Sequence, residues 1–218
     1  MQTYRLYFSK TGDAKYLSHL DLNRCFSRAF RRSGLDLWYT QGYNRRPYLL
    51  FALPLALGVE SFTENLDIRL ETNFSEIDFT KRINHSLPKG IKVFDCRYPL
   101  MKHSEIAAAR YLFDIRDGEY LNAFFSACRT LSVLDEIITE KHGKKGTKNV
   151  DIKADILRIN CINSTDRLLV DVLVSAGNQA NLNPLTLFNK LIEFAGREPE
   201  YYRVIRTGML THDGKNFE

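Results

Sequence analysis

Arginines stand at positions 24, 28 and 31, with Arg32 adjoining them. On a helix, spacings of four and three line guanidinium groups along one face, about a turn apart. That arrangement suits phosphates spaced along a nucleic-acid backbone, and guanidinium grips phosphate with a two-pronged fork. Asp21 is the sole acid close enough on the helix to relieve the stripe, and it reaches only Arg24 or Cys25. A solvated helix face is the plainer alternative, but neighbouring like charges repel there. A second group lies in QGYNRRP, residues 41–47. Gly42 admits positive φ, Tyr43 offers a stacking ring, and Asn44 can donate and accept. Arg45 and Arg46 add charge. The plainer reading is a polar turn. Further along, Lys141, Lys144, Lys145 and Lys148 with His142 form a second cationic cluster, which a hairpin tip would also explain.

His19 is the one residue here with catalytic chemistry. At the first position of a helix, the converging N–H groups disfavour imidazolium, so a neutral histidine there can act as a base or bind a ligand. Elsewhere the chemistry thins out. There is no Walker loop, GxGxxG, HExxH or GxSxG motif. His19, His85, His103, His142 and His212 lack ligand spacing, so neither a metal nor a cofactor is expected. Cys25, Cys96, Cys128 and Cys161 form no CxxC pair and no radical SAM cluster. Buried free thiols in a reducing cytoplasm are the expectation. Asp67, Asp114 and Asp171 interrupt strand patterns and read as exposed positions. Glu64 and Asp67 are candidates to pair with a basic-surface arginine.

The chain has 218 residues, 44% of them hydrophobic, enough for one large domain or two small ones. Its net charge of +5 is concentrated: residues 1–50 carry nine arginines and lysines against three aspartates. Such a patch points to an anionic partner, RNA or a nucleotide. The opening MQTYRLYFSK alternates like a strand rather than a signal peptide, and no apolar run reaches transmembrane length, so a cytoplasmic protein without a membrane partner is expected.

The elements that must position these residues follow from periodicity and capping. Residues 3–9 alternate as a strand. Ser18 caps a helix, Asp21 completes a variant capping box, Leu17 and Leu22 stand at staple spacing, and Gly34 ends the helix. Leu22, Cys25, Phe26 and Ala29 form its apolar face. Strands are expected over 35–40, 48–53, 65–71 and 91–98, and Ser75 is expected to cap a helix reaching about residue 86. In the second half, strands are expected over 109–116, 133–141, 154–161, 167–175 and 201–207. The lysine-rich residues 142–150 form a loop, and helices span 118–130 and, with Asn183 as cap and Pro184 first, 184–195. Each half reads as a split βαβ arrangement. The expectation is therefore an α+β protein of two tandem ferredoxin-like domains with antiparallel sheets, 1–103 and 104–218.

SHLDL with its basic helix, then QGYN, Pro47 and FALPLALGVES, resembles a radical-SAM-linked family of uncharacterised bacterial domains. The match is dense over residues 4–71, and KKGTKNVDIKADI is also similar. Family members usually have proline after the asparagine, where this chain has Arg45. The resemblance implies a radical SAM protein as a partner and names no reaction. The architecture also resembles CRISPR repeat-processing endoribonucleases, which cut RNA without metal. Their glycine-rich C-terminal loop is missing, since the tail has only Gly208 and Gly214.

Three functions follow as expectations. The first is an RNA-binding accessory domain that presents tRNA or rRNA to a radical SAM enzyme. Its contacts would be Arg24, Arg28, Arg31, Arg32, Gly42, Tyr43, Asn44, Arg45, Arg46, Lys144, Lys145 and Lys148. The second is a metal-independent endoribonuclease using His19. The third is a protein-interaction domain for a radical SAM enzyme.

Overall fold

The computed structural model describes residues 2–71, 76–143 and 146–218. Ser75, Lys144 and Lys145 lie outside the described residues. The protein is α+β with antiparallel sheets. Its contacts divide into two compact units, 1–103 with Glu218, and 104–217.

In the first unit the order is β1 (Gln2–Lys10), α1 (His19–Ser33), β2 (Leu49–Phe51), β3 (Glu60–Leu70), α2 (Glu76–Ser86) and β4 (Ile91–Arg97). β1 pairs antiparallel with β3 and β4 on its two sides, and β2 pairs with β3 on the side away from β1. The two helices cover one face of this sheet. Leu6, Phe8, Leu66, Ile68 and Val93 meet Leu22, Phe26, Phe30, Phe79 and Ile83 there, all at most 3% exposed. Phe8 and Phe26 pack edge to face at 5.0 Å between ring centres.

α1 forms where its ends are specified. The Ser18 hydroxyl accepts from the Asp21 N–H at 3.1 Å, and Gly34 takes the left-handed conformation (φ 65°) that closes the helix. The turn between α2 and β4 is held to the start of the unit at Gly90, whose carbonyl accepts from the Thr11 N–H. A Cβ on Gly90 would lie 2.5 Å from the Thr11 carbonyl oxygen and 2.8 Å from the Ala14 Cβ, at φ +91°. Gly90→Ala is therefore expected to lose about 1–3 kcal/mol of stability, read as a lower midpoint in urea at unchanged m.

The opposite face of the first sheet is polar yet buried. Arg5, 1% exposed, stands directly across from Asp67 in the β1–β3 register. Its Nε and Nη2 donate to the two Asp67 oxygens at 2.7 and 2.9 Å. His103 Nε2 lies 2.9 Å from Asp67 Oδ2. Burial alone would raise the Asp67 carboxyl, but the Arg5 and His103 contacts outweigh it and hold it below the usual range. The reading of Asp67 and Asp114 as exposed is thus corrected, since both are buried. Asp67 is buried because register supplies an arginine opposite it, and it therefore takes no part in an exposed basic surface.

The second unit contains β5 (Ile106–Arg116), α3 (Leu121–Val133), β6 (Ile138–Gly143), β7 (Gly146–Asp151), β8 (Ile156–Asn163), β9 (Leu168–Ser175), α4 (Pro184–Ala195) and β10 (Tyr201–Thr211). Its sheet runs β10–β5–β9–β8, all antiparallel, and β6–β7 is a separate two-stranded ribbon. The Asn183 side chain caps α4, with Pro184 first and Gly196 closing it.

Three local readings change. Residues 35–40 make only isolated bridges, Leu37 to Leu70 and Tyr39 to Pro47, rather than a strand. The expected strand over 133–141 begins only at Ile138, because α3 runs on to Val133. Part of the expected lysine loop is β7 itself. Of the four free cysteines, Cys96 and Cys128 are buried, while Cys25 and Cys161 are half-buried. Burial, with Cys161 alongside, pushes the Cys128 thiol up.

Candidate nucleic-acid interface

α1 and the turn that follows α2 enclose an open groove of about 770 Å³. Arg24, Arg28 and Arg32 line it at intervals of four residues, with Lys89 from the facing turn. Leu17, Cys25 and Leu87 supply apolar lining, and Asp13 and Asp21 supply its carboxylates. Asp21 is already engaged. It accepts from the Ser18 hydroxyl at 2.6 Å and lies 3.4 Å from Arg24. The Ser18 bond, reinforced by Arg24, holds its carboxyl below the ordinary range. Arg32 donates to the Ser86 carbonyl at 2.6 Å, which pins the C-terminal end of the groove to α2.

The stripe legible in sequence therefore differs by one residue from the one the groove uses. Arg32 lines it, whereas Arg31 is exposed elsewhere on the helix. An interval of four keeps a side chain on the face that the packed helix α2 selects. Sequence reasoning missed Lys89, and also Lys81 and Arg82. The last two border an adjoining hollow with Arg32 and His85. Arg82 also donates to the Ser33 and Gly34 carbonyls, satisfying the C-terminal end of α1. Only the packing of α2 against α1 brings these groups to the stripe, and no local spacing encodes it.

Burial pushes the Cys25 thiol up against the opposing pull of Arg32 and Arg28, so it stays protonated at neutral pH.

The QGYNRRP segment is the tip of a narrow excursion between α1 and β2. Its stem is tied by Tyr48 N–H to the Trp38 carbonyl and by Thr40 N–H to the Arg46 carbonyl at 2.8 Å. Arg46 N–H returns to the Thr40 hydroxyl at 3.1 Å. Arg69 anchors the base, its guanidinium 4.1 Å from the Tyr48 ring centre and 5.4 Å from that of Trp38. Gly42 has φ 127°, and Tyr43 is fully exposed. Asn44, Arg45 and Arg46 are exposed beside it. An exposed ring followed closely in sequence by two exposed arginines has the chemistry of a base-stacking and phosphate-binding finger.

His19 lies at the other end of α1, which at fifteen residues is about 22 Å long. Its ring meets Phe51 of β2 edge to face at 5.0 Å and is otherwise exposed. His19 opens α1, whereas the 41–46 tip belongs to the connection that leaves the other end of the helix and leads to β2. Among the described residues no group of three or more histidines, cysteines and carboxylates has metal-site geometry. No described helix is long and apolar enough to cross a membrane. In the second cationic cluster, Lys141 and Lys148 stand opposite each other on the β6–β7 ribbon. Lys144 and Lys145 fall outside the described residues.

A family model for an uncharacterized protein conserved in bacteria (DUF2344) matches residues 3–184. No curated protein sequence matches. Among solved structures, the chain is similar to one from a Cbf5–Nop10–Gar1 complex, at 10% identity and a TM-score of 0.50. That match covers 94% of this chain and 48% of the other, so the protein spans about half the length of that neighbour. The likeness is one of fold. An unknown protein from Galdieria sulphuraria matches at 9% identity with a TM-score of 0.27, covering 89% of each chain, too low to carry an argument.

Proposed function

We propose that this chain, which belongs to the family of uncharacterised proteins conserved in bacteria (DUF2344), binds RNA as an accessory protein without catalysis of its own. The α1 groove carries the reading: Arg24, Arg28, Arg32 and Lys89 converge on one open channel, with two carboxylates, one of them already bonded. Phosphate spaced along a single strand fits such a channel, and the Tyr43 finger adds a sequence-tolerant stacking surface. The βαββαβ order of the first unit, the same order in the second once the β6–β7 ribbon is set aside, and the strand order in both support the finer reading of two tandem ferredoxin-like domains. A radical SAM protein as companion, tRNA or rRNA as the bound RNA, and a cytoplasmic setting complete the proposal. The first rests on the sequence resemblance and the others on charge and composition.

Incubation of the full chain with labelled RNA tests it. The expected result is a shifted, full-length RNA, whereas shortened RNA would promote the ribonuclease reading. His19→Ala is expected to leave affinity within about tenfold, roughly 1.4 kcal/mol. Asn44→Ala combined with Arg45→Ala weakens it more. Loss of cleavage in His19→Ala would reverse the assignment.

A further inference from the structure

The β6–β7 ribbon does no visible work for the fold. Every residue of β7 is exposed, and the buried residues at its root are Ile137 and Ile152. The base is fastened by Asp151, whose Oδ1 accepts from Ile137 and Lys153 N–H groups at 2.8 and 2.9 Å. Beyond that base the ribbon extends about 20 Å, taking six residues per strand. Two-stranded ribbons standing alone in water are marginal, so a stretch exposed on both sides needs another reason to exist.

Its register gives that reason. Lys141 faces Lys148, Thr139 faces Val150, and Gly143 faces Gly146, so alternation places these six on one side. That side has two lysines and no acid. Glu140 and Asp151 both fall on the other side, with Asn149 and Thr147. Like charges placed directly opposite destabilise a ribbon, and neither lysine forms an ion pair among the described residues. An acid-free lysine face of this kind gains its counter-charge from a polyanion.

We infer that the lysine face of the β6–β7 ribbon is a contact arm for the phosphate backbone of double-stranded RNA, an assignment that rests on the RNA-binding reading above. Besides its lysines this face holds Thr139, Val150, Gly143 and Gly146 and no aromatic residue, so it lacks the stacking platform that single strands need. Lysine is a compact point charge that meets phosphate without reading bases. A-form helices are recognised largely by shape and by backbone contacts, and their deep major groove is closed to side chains. The ribbon therefore serves paired RNA, while the Tyr43 finger serves unpaired bases.

The test compares the full chain with Lys141→Ala/Lys148→Ala, and with Glu140→Ala as a control for the opposite side. The probes are a blunt RNA duplex and an unstructured single strand of equal length, titrated over a range of salt. The double variant is expected to lose about tenfold in duplex affinity. Its duplex salt slope should flatten by up to about 1.8, taking roughly 0.9 per contact from the B-DNA value. Single-strand binding and the Glu140 control should change less than threefold. If the wild type binds duplex and the double variant matches it, the ribbon assignment is wrong and the groove reading survives. If the wild type binds neither probe at low salt, both fall. Equal loss on both probes would also overturn the assignment to duplex.

Discussion

Asp67→Ala is expected to destabilise the first unit by about 3–5 kcal/mol, enough to lower its thermal midpoint by roughly 10 °C or more. The cost comes from what is left behind. Arg5 is 1% exposed and keeps its charge, but loses both oxygens that its Nε and Nη2 address at 2.7 and 2.9 Å. Removing both charges is the revealing comparison. Arg5→Met with Asp67→Leu should cost less than Asp67→Ala alone, because no ion is then stranded. Acid should narrow the gap between wild type and Asp67→Ala. The folded carboxyl sits below its ordinary value, so its contribution is complete above about pH 4–5. It is lost as pH falls through the depressed folded value. Thermal scans from pH 7 down to 3 check this, and a loss under about 1 kcal/mol at pH 7 would mean that the pair is solvated.

Replacing Arg24, Arg28 and Arg32 together with alanine is expected to weaken RNA binding roughly a hundredfold at low salt, at about 1 kcal/mol per contact. The fold should tolerate the change. All three side chains are exposed, and ordinary surface substitutions stay within about 0.5 kcal/mol each. Arg32 carries an added cost because it holds the Ser86 carbonyl. Arg32→Lys keeps charge for the ligand but cannot fork onto phosphate, so its affinity should fall between wild type and Arg32→Ala. Arg31→Ala, just outside the groove, should have a smaller effect than any groove arginine, measured by the same titration.

α1 and α4 were readable from sequence because their signals are local. Ser18, Asp21 and Gly34 fix one, and Asn183, Pro184 and Gly196 the other, all within a turn of the ends they set. The apolar face of α1 was equally plain, and Leu22 and Phe26 are buried as its period requires. What the sequence hid depends on partners distant in the chain. Asp67 looked like a surface carboxylate because its arginine sits 62 residues away, opposite it only through the β1–β3 register. Residues 35–40 looked like a strand, yet β2 pairs with β3 over Leu66–Ile68, and the segment keeps single bridges on either side. β7 escaped notice because a strand exposed on both faces has no apolar alternation to reveal it. Within the site, the arginine row was visible but its choice of Arg32 over Arg31 was not. That choice, like the arrival of Lys89, is made by α2 and the turn after it.

RNA phosphate is proposed to enter the α1 groove. Salt titration of single-stranded RNA binding, wild type against the Arg24/Arg28/Arg32 alanine variant, tests this most directly. If the proposal holds, log affinity falls linearly with log salt for the wild type. The variant's slope is then shallower by about two units, at roughly 0.7 per lost phosphate contact. Equal slopes and equal affinities for the two proteins would contradict it.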